Sequence, residues 1–229
     1  WRLRKLGIEN KIIIEDFELS EITQIIRIFN KYKISEVYNL AAQSFVGSSF
    51  LNPISTSDVT GLGVLRILEV IRNLKYKPKF YQASSSEMFG DVLETPQTMK
   101  TPFNPVSPYA ISKLFAHYTT INYRKAYSLF TVSGICFNHE SPLRGEDFIT
   151  RKITTGLSKI KAGILDCLEV GNIDAKRDWG FAGDYVHAMW LMLQQKKPRD
   201  YIIATGKMYT VRQFINESLK YFNFDAYWT

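Results

Sequence analysis

The sequence predicts an α/β fold in which a doubly wound parallel sheet is followed by a smaller lobe. Short β-branched and aromatic runs alternate with helical patterns of about 12 to 20 residues, as in strand–helix–strand units. Small or polar residues follow several of these runs, which is typical of parallel sheets that bind ligands at their carboxyl edge. The chain has 229 residues, 45% of them hydrophobic, and can therefore bury a sizeable core.

Charge and cysteine content narrow the possible functions. Lys and Arg total 29 against 22 Asp and Glu, giving a net charge of +7 that suits an anionic ligand. The basic residues are scattered and no nucleic-acid-binding module is recognisable, so a phosphate-bearing small molecule is expected, not nucleic acid. Cys136 and Cys167 are interpreted as buried free thiols in a reducing compartment. Neither a signal peptide nor a long apolar run is visible, so we expect a cytoplasmic protein without a membrane partner.

The first residue is Trp1, and the first strand candidate is the apolar run at residues 11–14. The sequence is therefore interpreted as beginning part-way through a domain, and the predicted sheet lacks its first strand–helix unit. Ser20 is a candidate N-cap for the helix that follows. The apolar face of that helix comprises Ile22, Ile25, Ile26 and Phe29.

The next elements follow from hydrophobic periodicity. They are a strand at 36–40, a helix at 54–73, a strand at 79–83, a helix from 107 to about 126 and a strand at 131–137. The second of these helices has a clear start, because Ser107 can cap it and Pro108 fits the first turn.

The pattern changes after Gly145. The elements predicted there are a helix at 150–162, strands at 168–170 and 201–204, a helix at 184–194 and a helix from Thr210. We therefore predict a sheet domain over residues 1–145. Residues 146–229 are predicted to form mostly a smaller lobe, with some elements returning to the sheet.

Tyr109 and Lys113 are the first candidates for chemistry. On a helix, residues four positions apart share a face, so both side chains point into the same space. A nearby ammonium favours the phenolate, which makes the tyrosine a general acid/base for an alcohol that becomes a ketone. By itself, the same spacing also fits an ordinary stacked pair on a solvated helix face.

Two polar segments follow predicted strands. Ser84, Ser85, Ser86 and Glu87 come after the strand at 79–83, and the small-residue segment Ala41-Ala42-Gln43-Ser44 comes after the strand at 36–40. At the carboxyl edge of a parallel sheet, both segments would line a ligand cleft. Helix capping and a tight turn are the structural alternatives.

Seven blocks of residues carry a family pattern in a fixed order. They are residues 38–44, 80–87, 107–113, 137–145, 150–152, 176–180 and 203–206. The blocks resemble the extended short-chain dehydrogenase/reductases and, among them, the GDP-mannose 4,6-dehydratase family. The sequences Asn138-His139-Glu140-Ser141-Pro142 and Lys176-Arg177-Asp178-Trp179-Gly180 are the most specific to that family.

The resemblance implies a lyase with a Rossmann-like fold that converts GDP-mannose to GDP-4-keto-6-deoxy-mannose, a step of GDP-fucose biosynthesis, with NADP as cofactor. NADP takes hydride from C4 while Tyr109, assisted by Lys113, takes the hydroxyl proton. Glu87 then removes the C5 proton, water leaves from C6 and hydride returns there. Ser85 is expected to hydrogen-bond the C4 oxygen or to take part in the proton transfer. The resemblance further implies that residues 1–145 are the NADP-binding domain and that residues 146–229 are mostly the substrate-binding lobe.

The resemblance also implies binding residues. Those for the cofactor are Asp16, Phe17, Leu40, Ala41, Ala42, Gln43, Ser44, Tyr109, Lys113, His139 and Arg144. Those for the substrate are Ser85, Glu87, Asn138, Lys152 and Arg177. The basic start, Arg2, Arg4 and Lys5, favours NADP over NAD. A homodimer or homotetramer is expected from the apolar helices at 54–73 and 107–126, and no metal is expected because the three histidines lack ligand spacing.

The sequence departs from the family pattern at several points. The Gly-rich turn that grips the cofactor pyrophosphate lies outside the chain, as does the family's final segment. Ser85 and Ser55 stand where relatives commonly have threonine and tyrosine. Two alternatives stay open: another nucleotide-sugar dehydratase or epimerase, and a catalytically inactive homologue that acts as a binding subunit. Glu87 favours dehydration, because a 4-epimerase does not need a base at C5.

Overall fold

The computed structural model describes residues 1–223. The helices are α1 (Arg2–Lys5), α2 (Ile22–Lys31), α3 (Val46–Leu51), α4 (Pro53–Ser57), α5 (Gly63–Asn73), α6 (Pro108–Tyr127), α7 (Ile149–Lys161), α8 (Ala182–Leu193) and α9 (Val211–Phe222). The strands are β1 (Glu36–Asn39), β2 (Lys79–Ser85), β3 (Thr131–Cys136), β4 (Asn138–Glu140), β5 (Lys176–Arg177), β6 (Trp179–Phe181), β7 (Asp200–Ile203) and β8 (Tyr209–Thr210). A π-helical turn (Asp58–Leu62) joins α4 to α5, and 3-10 turns cover Glu9–Lys11 and Ser86–Phe89.

The chain divides into two compact units. The first comprises Trp1–Cys136 and Val186–Ile203, and the second comprises Phe137–Tyr185 and the described residues from Ala204 onward. The chain therefore passes from the first unit to the second between residues 136 and 137, whereas the sequence predicts the domain boundary between residues 145 and 146. That boundary and the roles given to the two domains stay predictions.

A parallel sheet with the order β1-β2-β3-β7 forms the centre of the first unit. Parallel strands need crossover connections, and helices supply them between β1 and β2 and between β2 and β3. The carboxyl ends of all four strands consequently lie at one edge. β2 runs past β1, whose last paired residue, Asn39, lies opposite Gln82.

The core of this unit lies where α2, α5 and α6 pack with β2. Val64, Leu68 and Ile71 on one face of α5 are fully buried, as is Phe80 of β2. Each such side chain contributes about 1.5–3 kcal/mol of transfer free energy, so this apolar face fixes the helices against the strand. The helix predicted over residues 54–73 is present as α4, the π turn and α5.

The start of α6 agrees with the sequence prediction. The side chain of Ser107 accepts a hydrogen bond from the backbone N–H of Ala110 at 3.1 Å, and Pro108 occupies the first turn. These two residues fix where the helix begins and therefore which side chains its buried face presents.

Two local predictions near the start of the chain are wrong. Residues 12–14 form no strand and their side chains are exposed, because no described segment pairs with them and a strand needs a hydrogen-bonded neighbour. Ser20 does not cap α2. The N-cap is Glu21, which makes no side-chain cap bond, and the side chain of Gln24 instead reaches back to the N–H of Glu18.

In the second unit, β4 and β6 form a parallel pair and β5 and β8 an antiparallel pair. Helices α7 and α9 pack together through buried apolar residues. These are Ile153, Leu157, Val211 and Ile215.

Two further predictions fail in the second unit. Residues 168–170 are not a strand, because Leu168 and Val170 pack against the core formed by α7 and α9 and join no ladder. Cys167, predicted to be buried, is exposed, whereas Cys136 of the first unit is buried and free as expected. The strand predicted at 201–204 is present as β7, which pairs with β3 in the main sheet.

Gly90 ends the 3-10 turn that carries Glu87, and its backbone has φ +54° and ψ −118°. A Cβ at this position would overlap the backbone carbonyl of Asn104. We expect Gly90→Ala to lower the free energy of unfolding by roughly 3 kcal/mol or more, measured by urea denaturation. Gly163→Ala is the matched control, because its φ of +69° is similar but nothing lies within 4 Å of the added atom. The control should cost about 1 kcal/mol, and equal losses would contradict the steric explanation.

Candidate active site

Helix α6 brings Tyr109 and Lys113 onto one buried face. Tyr109 is 8% exposed and Lys113 3% exposed. The Lys113 Nζ atom lies 5.8 Å from the centre of the Tyr109 ring. The predicted pairing is therefore present in the structure, and its burial excludes the alternative of a stacked pair on a solvated surface.

The backbone of β2 holds Lys113 in place. Its Nζ donates a 2.8 Å hydrogen bond to the carbonyl oxygen of Ala83. Burial lowers the pKa of Lys113 to about 8, since the charged amine has little water around it. The ammonium thus remains the main form at neutral pH, where its charge favours a neighbouring phenolate.

Ser85 and Glu87 lie where β2 ends. Ser85 is the last residue of the strand, and its Oγ accepts a 3.2 Å hydrogen bond from the backbone N–H of Glu87. Both side chains are partly exposed. The turn therefore presents a hydroxyl and a carboxyl group together, on the strand to which Lys113 is bonded.

The segment after β1 lies at the same edge of the sheet. Leu40, Ala41 and Ser44 are exposed, and Ala42 and Gln43 are partly buried. The backbone N–H of Gln43 bonds the Thr60 hydroxyl at 3.2 Å. Its side-chain oxygen is buried without a hydrogen-bond partner in the described part of the chain. A buried acceptor of this kind suits a hydroxyl-bearing ligand.

The other residues of the first unit that the sequence relates to the cofactor are exposed. Asp16 and Phe17 are exposed, and the contact of Asp16 is through its backbone carbonyl, which accepts a bond from Arg27. Arg2, Arg4 and Lys5 make up most of α1, where Arg4 pairs with Glu9 at 3.0 Å. Ser55 is exposed on α4.

In the second unit, His139 and Arg144 are held by their neighbours. Nδ1 of His139 lies 2.8 Å from the carbonyl oxygen of Phe137, and its ring stacks on Tyr185 with centroids 4.7 Å apart. Arg144 pairs with Glu140 at 3.2 Å, and its guanidinium lies 3.5 Å from the centre of the Phe148 ring. Both side chains are therefore oriented before any ligand binds.

The substrate candidates of the second unit are Asn138, Lys152 and Arg177. Asn138 begins β4 and is partly exposed, Lys152 is exposed on α7, and Arg177 is exposed on β5. The guanidinium of Arg177 donates to the carbonyl of Lys176 at 2.8 Å. Exposure leaves the charges of Lys152 and Arg177 accessible to an anion.

Two buried polar residues of this structure have no role that the sequence predicts. His117 lies one turn after Lys113 on α6, and its Nδ1 is 3.0 Å from the hydroxyl of Ser84. Asp178 accepts hydrogen bonds from the backbone and hydroxyl of Thr205 and the backbone of Gly206. The four-residue repeat of Tyr109, Lys113 and His117 along α6 was the available signal for the first, and no local pattern marked the second.

Residues 1–223 contain no group of three or more His, Cys, Asp or Glu side chains arranged to hold a metal ion. None of the helices over these residues combines the length and apolar character needed to cross a membrane.

Solved structures share the fold. RMD from Pseudomonas aeruginosa, complexed with NADPH, superposes with a TM-score of 0.83 at 24% identity, over 90% of this chain and 70% of its own. UDP-glucose 4-epimerase from Thermotoga maritima, with UDP-glucose, gives a TM-score of 0.86 at 22% identity, over 97% of this chain and 72% of its own. These similarities confirm the predicted α/β class with a parallel, Rossmann-like sheet.

Sequence comparison is more specific. GDP-mannose 4,6-dehydratase of Vibrio cholerae is 53% identical over 205 residues, which are 89% of this chain and 55% of the relative. The Homo sapiens enzyme of that name is 48% identical over 223 residues, 96% of this chain and 60% of the relative. The chain thus spans somewhat more than half the length of these relatives. The family model for GDP-mannose 4,6 dehydratase matches residues 2–229. The chain therefore belongs to the GDP-mannose 4,6-dehydratase family.

Proposed function

We propose that the protein is a lyase that dehydrates GDP-mannose to GDP-4-keto-6-deoxy-mannose. The observation that carries the proposal is the anchoring of Lys113, beside Tyr109, to the strand that ends in Ser85 and leads into the turn with Glu87. An acid/base pair and a carboxylate at the edge of one sheet suit oxidation at C4 followed by elimination across C5 and C6. Family membership indicates that the substrate is GDP-mannose. We place the reaction in the cytoplasm, where GDP-fucose synthesis would use its product.

The cofactor is proposed to be NADP, and the residues present fit a nicotinamide dinucleotide. The buried, unpartnered oxygen of Gln43 can accept a hydrogen bond from a ribose hydroxyl. Exposed Ala41 and Ser44 leave the backbone open to close approach. The bound nicotinamide would supply a hydride acceptor for C4 and a hydride donor for C6.

The other cofactor contacts are carried over from the family resemblance. They are Asp16, Phe17, Leu40, Ala42, Tyr109, Lys113, His139 and Arg144. The preference for NADP over NAD is assigned to Arg2, Arg4 and Lys5, whose charges suit a 2′-phosphate.

Tyr109 is assigned to the proton of the C4 hydroxyl. The charge of Lys113 favours its phenolate, which accepts that proton as C4 becomes a ketone. The ketone acidifies the hydrogen at C5, and Glu87 removes it. The C6 hydroxyl takes up the proton and leaves as water, which leaves a double bond between C5 and C6. Hydride, which the bound nicotinamide would supply to C6, and a proton at C5 then restore the single bond. Ser85 donates a hydrogen bond to the C4 oxygen.

In the second unit, the proposal assigns Asn138, Lys152 and Arg177 to the substrate. The guanidinium of Arg177 can bond two oxygens of a diphosphate through its planar fork. Lys152 supplies a further positive charge, and the amide of Asn138 can bond diphosphate or sugar oxygens.

The assembly is proposed to be a homodimer or homotetramer. The outer surface of α5 and α6 carries an apolar groove of about 520 Å³ whose lining includes Ile111, Phe115 and Tyr118. These three side chains are 56%, 44% and 54% exposed. A second copy of the same helices would bury this surface symmetrically.

The substrate and cofactor assignments predict selectivity. Full-length protein supplied with NADP should convert GDP-mannose to a product lighter by one water, detected by mass spectrometry. UDP- and dTDP-hexoses should be unchanged under the same conditions, and NAD should replace NADP poorly. Turnover of a dTDP- or UDP-hexose at a similar rate would favour another nucleotide-sugar enzyme. Cofactor and nucleotide binding without turnover would favour an inactive binding subunit.

The assignment of Glu87 predicts a separation of two steps. Glu87→Gln keeps the shape of the side chain but removes the base, so dehydration should fall by about 10²- to 10⁴-fold. Oxidation at C4 should survive and be visible as absorbance of reduced nicotinamide, while deuterium from solvent should no longer enter C5. Tyr109→Phe should abolish both signals and is the control. Undiminished exchange at C5 in Glu87→Gln would assign the base to another residue.

The proposed interface predicts a mass change. Ile111→Glu places a charge on the apolar groove and should shift the native mass toward the monomer, measured by native mass spectrometry. Leu93→Glu alters a residue that is 66% exposed in the loop after the 3-10 turn and should leave the mass unchanged. An unchanged mass in Ile111→Glu would place the interface elsewhere.

A further inference from the structure

His117 is a buried titratable residue that the proposed mechanism does not use. Its side chain is 2% exposed, with Nδ1 3.0 Å from the hydroxyl of Ser84. The ring also packs edge-on against Phe103, with centroids 5.4 Å apart. A buried imidazole held on one side by a serine and on another by an aromatic ring has a fixed orientation.

The surroundings of His117 keep its ring neutral. Burial lowers its pKa, and the charged groups that act on it, Asp200 and Arg124, have opposite effects. Those two residues form a salt bridge with each other, so neither presents an isolated charge to the imidazole. Phe103 and Tyr118 contribute aromatic surface. The ring therefore acts through a hydrogen bond and not through a charge.

The same face of α6 makes two polar contacts with consecutive residues of β2. Lys113 bonds the carbonyl of Ala83, and one turn later His117 bonds the side chain of Ser84. The next residue, Ser85, bonds the backbone N–H of Glu87. The orientation of the Ser84 side chain thus affects the peptide that leads directly into the proposed catalytic turn.

We propose that His117 is a positioning residue that fixes Ser85 and Glu87 by holding Ser84. Lys113 anchors α6 to the strand. His117 sets the orientation of Ser84 and Ser85, the last two residues of β2, which lead into the turn with Glu87. This inference rests on the proposed function, because it assigns His117 to the alignment of the groups that act at C4 and C5.

The test compares variants that remove or retain the hydrogen bond. His117→Phe and Ser84→Ala each remove it, and each should lower kcat by roughly 10- to 100-fold, the size expected for a misplacement near 1 Å. The KM for GDP-mannose should change by no more than about threefold. His117→Asn places an amide near the position of Nδ1 and should recover kcat to within about fivefold of the parent enzyme. The double variant should be no slower than His117→Phe.

A second readout does not depend on turnover. The hydrogen bond from the Glu87 N–H to Ser85 should weaken in His117→Phe, so that this amide exchanges with deuterium at least about tenfold faster. The amide of Val132, near the start of β3, is the internal control and should exchange as in the parent protein.

The outcomes separate this inference from the proposed function. If the parent enzyme is active and His117→Phe is folded with kcat within twofold, the positioning role is wrong and the function stands. If His117→Asn is as impaired as His117→Phe, the hydrogen bond is not the cause. If the parent protein does not turn over GDP-mannose, the proposed function fails, and unchanged exchange at Glu87 would then overturn the positioning role separately.

Discussion

The hydrogen bond between Lys113 and the carbonyl of Ala83 is the contact on which the candidate site depends. A buried ammonium needs an acceptor to offset its lost hydration, and the fall of its pKa to about 8 reflects how little water remains. The acceptor is accessible because β1 ends its pairing opposite Gln82, so Ala83 has no partner on that strand. Unequal strand lengths therefore leave this carbonyl open to the lysine, and its hydrogen bond adds to the apolar packing that holds α6 on β2.

Buried polar pairs surround this contact at the carboxyl half of the sheet. Asn39 and Gln82 bond each other at 2.8 Å across β1 and β2, and Tyr81 lies 3.4 Å from Cys136 across β2 and β3. Unpaired, each of these groups would cost free energy, so the strands cannot slip without breaking several bonds together. Gly134 contributes by being small, because a Cβ there would overlap the hydroxyl of Tyr81. Polar pairing therefore adds to apolar packing at this half of the sheet.

The helices that the sequence predicts correctly have local causes. The start of α6 follows from Ser107 and Pro108, and the helix over residues 54–73 follows from its apolar periodicity. The two failed strand predictions share one cause. A run such as 11–14 or 168–170 becomes a strand only if another strand lies beside it, and that depends on distant parts of the chain. The exposure of Cys167 likewise depends on tertiary packing, which the residues next to it in the sequence do not reveal.

The candidate site shows the same division. Tyr109 and Lys113 could be paired from their spacing, because four residues on a helix fix the geometry. The group that holds Lys113 is a backbone carbonyl, and a carbonyl has no side-chain signature, so no motif could have revealed it. The bond from His117 to Ser84 joins side chains 33 residues apart and forms only where α6 packs against β2. Candidate residues for the chemistry can therefore be predicted from the sequence, whereas the contacts that hold them in place follow from the fold.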